Sequence, residues 1–269
     1  MRTRKYKLFF ALFLFGCSIA AYSQNNEMTV TDCQGNVYPV VKIGKQYWMA
    51  ENLRCSQYDS ESELSGATLQ TSYKNAYLPY YADATNKTYW DTEFAGELTD
   101  EQIKKLGYLY NFSATVGLTD IHEITHGKGF KNKRQGICPN GWHVPSIDEL
   151  KELLKFLKKE HKNTNGITAP LRATSGWYTD LESTNNSNGT DEYNFSALPS
   201  GFTLANMEFD KGTGIIHNVG LNGSLQASNS TKDEHDTHYS GGFNLDPDGE
   251  FIIITTHKKC AHSVRCVKN

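Results

Sequence analysis

Across its middle the chain reads Gly136-Ile-Cys-Pro-Asn-Gly-Trp-His-Val-Pro-Ser146-Ile-Asp-Glu-Leu-Lys-Glu-Leu-Leu-Lys-Phe-Leu157. Ser146 has the chemistry of a helix N-cap, and Glu149 three residues on completes a capping box. Ile147, Leu150, Leu153, Leu154 and Leu157 then recur at the helical period, which predicts an amphipathic helix ending near His161. Cys138-Pro139-Asn140-Gly141 is a turn leading into it. Beyond residue 163 the helical signal vanishes. Strand-like runs at 214–219, 250–256 and 263–267 alternate there with Asn, Gly, Ser and Asp loops such as 183–191 and 228–238. Upstream, Val37–Ile43 and Gln46–Met49 read as a hairpin around Gly44-Lys45. A short helix is expected over 99–106, with Thr99 as N-cap, Asp100 and Glu101 in the first turn and Gly107 as stop. Residues 107–112 read as a buried strand or tight aromatic segment, and 56–96 as long surface loops. The pattern is α+β: one main helix, short antiparallel strands and long loops.

The 269 residues are 38% hydrophobic and 12% aromatic, enough to bury a core, which excludes wholesale disorder. The formal charge of −3 leaves no basic excess to neutralise phosphates, so nucleic acid is not an expected partner. Arg2, Arg4, Lys5 and Lys7 precede an apolar run over 8–21, the layout of a signal peptide over residues 1–23. Two processing points are readable: after Ser23, or before Cys17, where a lipoprotein-type cut would leave Cys17 to carry lipid. Either route exports the protein to the periplasm, cell surface or medium, with membrane contact only through a lipid. Removing four cations and no anion leaves 23 Lys and Arg against 30 Asp and Glu, a formal −7. In an oxidising compartment the remaining cysteines favour disulfides. Cys33 and Cys55 flank the hairpin at bridging range, Cys138 and Cys266 would staple the middle of the chain to its end, and Cys260 is left over. No Cys-x-x-Cys spacing supports a zinc knuckle.

Five ordered motifs carry a resemblance. They are Asn36-Val-Tyr-Pro-Val-Val-Lys-Ile-Gly-Lys-Gln-Tyr-Trp48-Met-Ala-Glu-Asn-Leu53, Gly107-Tyr-Leu-Tyr-Asn-Phe-Ser-Ala114, the Gly136 to Ser146 stretch, Phe195-Ser-Ala-Leu-Pro-Ser-Gly201 and Ser263-Val-Arg-Cys-Val267. Together they resemble the Fibrobacter succinogenes major paralogous domain. The resemblance implies a single C-type-lectin-like, sulfatase-modifying-factor-like domain over 27–269, with an insertion at about 56–106. It also implies a secreted or surface-anchored bacterial protein of the Bacteroidetes type, and no activity that transfers residue by residue. Leu225-Gln226-Ala227-Ser228 departs from the family's usual Trp-Ser-Ser. Glu51, Asn52 and Arg265 are polar residues inside otherwise apolar motifs, suited to pinning loop backbone or to meeting a ligand.

Three stretches suggest chemistry. His122-Glu123-Ile124-Thr125-His126 fits the H-E-x-x-H zinc-hydrolase pattern, in which two His one turn apart bind metal and Glu polarises water. Gly127 and Gly129 end any helix there, and Asn132 stands where a third ligand would be needed. Cys260 and Cys266 invite comparison with the thiol pair of formylglycine-generating enzymes of similar fold, but they lie six residues apart without the accompanying motif. Asp246-Pro247-Asp248-Gly249-Glu250 clusters carboxylates as a calcium loop would, with Asp246 and Asp248 as first ligands, yet lacks the full set. Aromatic residues on polar loops are the better binding signal. Tyr73, Tyr77, Tyr80, Tyr81, Tyr89 and Trp90 alternate with Asn, Asp and Thr, and such rings stack on sugars or peptide side chains. The resulting expectation is a non-catalytic surface module for a glycan or protein, needing no cofactor. A metal-dependent or thiol enzyme and a structural envelope component are the alternatives.

Overall fold

The C-terminal residues return to the first hairpin, and that closure organises the molecule. The computed structural model describes residues 28–62, 64–69, 79–91, 98–120, 133–161, 166–178, 187–204, 215–230, 239–246 and 252–269. Its strands are β1 Thr29–Thr31, β2 Val37–Ile43, β3 Gln46–Met49, β4 Tyr81–Asp83, β5 Tyr108–Asn111, β6 Trp142–His143, β7 Phe202–Thr203, β8 Ile216–His217, β9 Ser224–Ser230, β10 Tyr239–Asn244, β11 Ile253–His257, β12 Ala261–Ser263 and β13 Val267–Lys268. The helices are α1 Asp100–Lys105, α2 Phe112–Val116 and α3 Ile147–Glu160. One sheet has the order β1-β2-β3-β13-β6. The other runs β11-β10-β9-β12-β5-β4, with β7 on β12 and β8 on β7. Strands outweigh helices, so the fold is mixed and β-rich.

Local signals explain the legible elements. The hairpin pairs Ile43 with Gln46 and Val41 with Trp48 around Gly44-Lys45, as expected. The expected capping box of Ser146 with Glu149 forms, and the expected N-cap Thr99 forms a second one with Gln102. On α3, Leu150, Leu153 and Leu157 are fully buried, while Ile147 and Leu154 pack at the margin. They meet Ile43, Trp48, Trp177, Phe195, Leu225 and Phe243, with Trp48 set edge-on to Phe195 at 6.1 Å. Burying each such side chain stabilises the fold by roughly 1.5–3 kcal/mol. A second cluster, including Tyr38, Leu53, Tyr58, Tyr110 and Trp142, surrounds a disulfide between Cys138 and Cys266.

Three expectations need correction. The run 263–267 is not one strand: β12 belongs to the larger sheet, β13 to the smaller, and 264–266 crosses between them. β9 and β10, neighbours within the larger sheet, occupy sequence in which no strand was expected, and β9 extends into the expected loop at 228–238. Residues 56–96 are not surface loop throughout, since Tyr58, Leu69, Tyr80 and Ala82 are buried and β4 pairs with β5.

Candidate functional site

Between α1, the segment following β3 and the loop 191–198 lies a groove of about 440 Å³. Its floor is apolar, from Pro39, Ala50, Ala173 and Leu198, and its walls carry Glu51, Lys105, Asp191 and Asn194. At the base sits Arg265, buried, from the crossover between the sheets.

The loop is held in an uncommon shape. Asp191, Asn194 and Ser196 have φ of 49°, 53° and 49°, the left-handed region that side chains other than Asn and Asp rarely adopt. The Asp191 carboxylate holds the turn, accepting from Ser196 N at 2.7 Å and from Ser196 Oγ at 2.6 Å. Phe195 between them is fully buried and anchors the loop to the α3 core. Arg265 completes the clamp. Its guanidinium lies 4.2 Å over the Phe195 ring and donates to the carbonyls of Phe195 and Ser196. Left-handed backbone at such positions costs about 1–3 kcal/mol each and persists only where surroundings enforce it.

The clamp is tied into both sheets. Arg265 Nε donates to Asn52 Oδ1 at 2.8 Å, and Asn52 Nδ2 donates to Leu106 O at 2.9 Å and Ser263 Oγ at 3.1 Å. Ser263 Oγ meets Ser200 Oγ at 2.6 Å. Burial pulls the Arg265 guanidinium down to about 9, while the charges of Glu51 and Asp191 work in the opposite direction. It therefore stays cationic at neutral pH. Gly107 lets the segment before it approach: its φ is +70°, and a Cβ there would lie 2.7 Å from Leu53 O.

Glu51 bridges the groove to a second recess of about 380 Å³ beside Val37, Arg54 and Lys104. It bonds Arg54 at 2.9 Å and lies 3.7 Å from Lys105, which also pairs with Glu101 at 3.1 Å. The double recess thus offers fixed carboxylates, cations and amides above an apolar floor. A larger hollow of about 560 Å³ lies between the β2–β3 turn and α3. Its charged groups, including Lys45, Lys151, Lys155 and Glu152, belong to solvent-facing side chains, and its half-buried Gln46 is already committed to Glu149 O and Trp48 Nε1. We place the site in the smaller groove.

The expected ligand-stacking rings are placed differently. Tyr80 is buried, its hydroxyl donating to Lys259 O at 2.5 Å and meeting Thr203 Oγ1 at 3.0 Å. Trp90 packs against the β4–β5 core and donates through Nε1 to Ala84 O. Tyr81 stacks on Tyr108 at 4.5 Å. These rings pack the insertion onto the domain because each finds an apolar or aromatic neighbour from β5 or β8, which corrects the view of Tyr80 and Trp90 as an open platform. The side chain of Tyr89, together with Tyr73 and Tyr77, lies outside the described residues.

The other predicted centres fare variously. Asp246 accepts from Gly223 N at 2.9 Å and from the Asn222 side-chain amide, so its oxygens pin a loop. Burial pushes its carboxyl up despite those bonds. Asp248, His122, Glu123, His126 and Cys17 lie outside the described residues. Among the described residues no three His, Cys, Asp or Glu side chains converge as metal ligands. Cys266 is bonded to Cys138, with Cα atoms 5.9 Å apart, so it is not the free thiol that a formylglycine-type pair with Cys260 would need. Cys33 and Cys55 are not bonded, but their Sγ atoms lie 3.7 Å apart.

Reading the residues in order flagged Glu51, Asn52 and Arg265 but missed Lys105, Asp191 and Asn194. The available signal was Asp191 and Asn194 just before the Phe195 motif, two residue types that tolerate left-handed backbone. A family model described as the Fibrobacter succinogenes major domain matches residues 41–268. No curated protein and no solved structure matches the chain.

Proposed function

From the premise that this chain belongs to the Fibrobacter succinogenes major domain family, we propose that it is an exported, non-catalytic module binding a glycan in the Glu51–Asp191 groove. The observation that carries this reading is the loop 191–196, with three left-handed non-glycine residues clamped by buried Arg265. Strain of that kind collects where side chains must be held for a ligand. The groove sets the Glu51 carboxylate as acceptor beside the donors Lys105 and Asn194, and sugar hydroxyls both donate and accept. Binding is favoured over turnover because glycan hydrolysis works through a pair of carboxyl groups, and of the two lining this groove Asp191 already commits both oxygens to Ser196. Export is supported by the basic and apolar leader over residues 1–23. We take the fold to be C-type-lectin-like. The one long helix among the described residues, the return of β13 beside β3 and the disulfide that anchors this return support that assignment.

The test is a glycan array with the purified mature chain, followed by titration of the strongest hit. Asn194→Gly and Glu51→Gln should each weaken binding at least tenfold, and Asn194→Gly, which keeps the left-handed backbone accessible, should leave the unfolding midpoint close to that of the unsubstituted chain. A blank array, or affinity unchanged in both variants, would overturn the reading.

A further inference from the structure

We propose that Cys33 and Cys55 form a second cystine in the mature protein, locking the wall of the groove to the turn between β1 and β2. The two Sγ atoms are 3.7 Å apart, and both point at one carbonyl, Gln57 O, at 3.4 and 3.0 Å. Their backbones are already fixed opposite one another. The Asp32 carboxylate shapes the turn containing Cys33, accepting from Gln34 N at 2.9 Å, Asn36 N at 3.0 Å and Tyr38 OH at 2.6 Å. Gln34 Oε1 accepts from Ser56 N at 2.8 Å, and Tyr38 OH accepts from Arg54 N at 3.1 Å, so bonds cross on either side of Cys55. Cys55 itself is framed by the Tyr110 hydroxyl, which accepts from its N at 3.0 Å and donates to its O at 2.7 Å. From there the two sulfurs have less than 2 Å to travel to reach a bond of about 2.0 Å.

The pair is asymmetric, and that fixes the order of events. Cys33 is exposed and Cys55 buried. A small disulfide such as oxidised glutathione meets Cys33 first: the Cys33 thiolate attacks one sulfur, and one glutathione thiolate leaves. The Cys55 thiolate then attacks Cys33 Sγ and expels the second glutathione. Two thiol protons are released, two protein sulfurs are oxidised, and one disulfide is reduced to two thiols. Burial pushes both thiols up, Cys55 the more strongly, so thiolate is scarce and closure should quicken with rising pH. Cys55 directly follows Arg54, whose guanidinium holds Glu51 at 2.9 Å and Val37 O at 3.1 Å. The bond would therefore brace the residue that joins the two recesses. This inference stands on its own geometry, so a failed glycan test leaves it intact.

The experiment treats the folded mature chain with oxidised glutathione, then alkylates and maps peptides by mass spectrometry. Thiols should fall from three to one, leaving Cys260, with a peptide linking Cys33 to Cys55. Linking should be faster at mildly alkaline than at neutral pH. Cys55→Ser should trap glutathione on Cys33, and Cys33→Ser should leave Cys55 unmodified. Amide exchange over 53–57 should slow in the oxidised form. A stable glutathione adduct on Cys33 in the unsubstituted chain, or linkage of Cys33 to Cys260 or to a second chain, would overturn the proposal.

Discussion

On one face of β9, Leu225 and Ala227 pack with Phe243, Trp48 and the buried leucines of α3. On the other, Ser224 Oγ meets His262 Nδ1 at 2.6 Å and Gln226 donates to Ser240 Oγ at 2.7 Å. Yet Gln226 Oε1, His262 Nε2 and the hydroxyls of nearby Ser228 and Thr256 are buried without a hydrogen-bond partner among the described residues. Each such atom costs about 1–3 kcal/mol. The network around Arg265 is as deeply buried and as polar, but there every polar side chain finds a partner across the crossover. The contrast separates three uses of burial. The α3 side of β9 holds the fold, the Arg265 network holds a loop, and the His262 side is a place where the fold gives up stability.

The largest effect that sharpens this contrast comes from the apolar face. Leu153→Ala should cost about 2–5 kcal/mol in urea unfolding, the price of a cavity among rigid aromatic neighbours. A cost under about 1 kcal/mol would mean that this face carries no special share of stability. Next comes His262. Burial pulls its imidazole down to about 4, from an unfolded value of 6.5. The native state therefore resists a proton that the unfolded chain accepts, so stability present above about pH 6.5 drains away as pH falls toward 4. The loss should reach at most roughly 3 kcal/mol. His262→Gln should flatten that limb, and a slope unchanged in the variant would assign it elsewhere. Glu149 offers the opposite chemistry at lower pH. Burial alone would raise its carboxyl, but hydrogen bonds from His143, at 2.8 Å, and from Ser146 outweigh it and hold the group at about 2. Its contribution is complete above about pH 4.5 and is lost as pH falls toward 2. After allowance for its partial exposure that is roughly 1–3 kcal/mol, removed in Glu149→Gln.

These same regions differ in how far the amino-acid order reveals them. α3 is legible because its signals are local: Ser146 caps, Glu149 reciprocates, and leucines recur within a few residues. β9, Ser-Leu-Gln-Ala-Ser-Asn-Ser, has little intrinsic strand preference. It is a strand because β10 and β12 pair on either side of it, information held elsewhere in the chain. The groove divides in the same way. Glu51, Asn52 and Arg265 stand out as polar residues inside apolar motifs. Lys105, Asp191 and Asn194 come from separate loops and helices, and only the folded crossover unites them with Glu51. The aromatic run near residue 80 misleads for a related reason, because Tyr80 buries its ring and Trp90 packs half-buried against strands distant in sequence.

The smallest expected effect is also the most discriminating. Ser228 is fully buried, its N–H donates to Pro145 O at 2.9 Å, and its hydroxyl lacks a partner among the described residues. Ser228→Ala keeps the backbone bond and removes the unpartnered atom. Its volume change is small, so cavity formation contributes little. The variant should be neutral or more stable by up to about 1 kcal/mol, whereas most buried substitutions destabilise. Thr256→Val should behave alike, since its hydroxyl is also without a partner. If both variants instead lose more than about 1 kcal/mol, the polar side of β9 holds ordered water that satisfies these groups. It would then be a hydrated counterpart of the Arg265 network, and the contrast between the two buried polar regions would collapse.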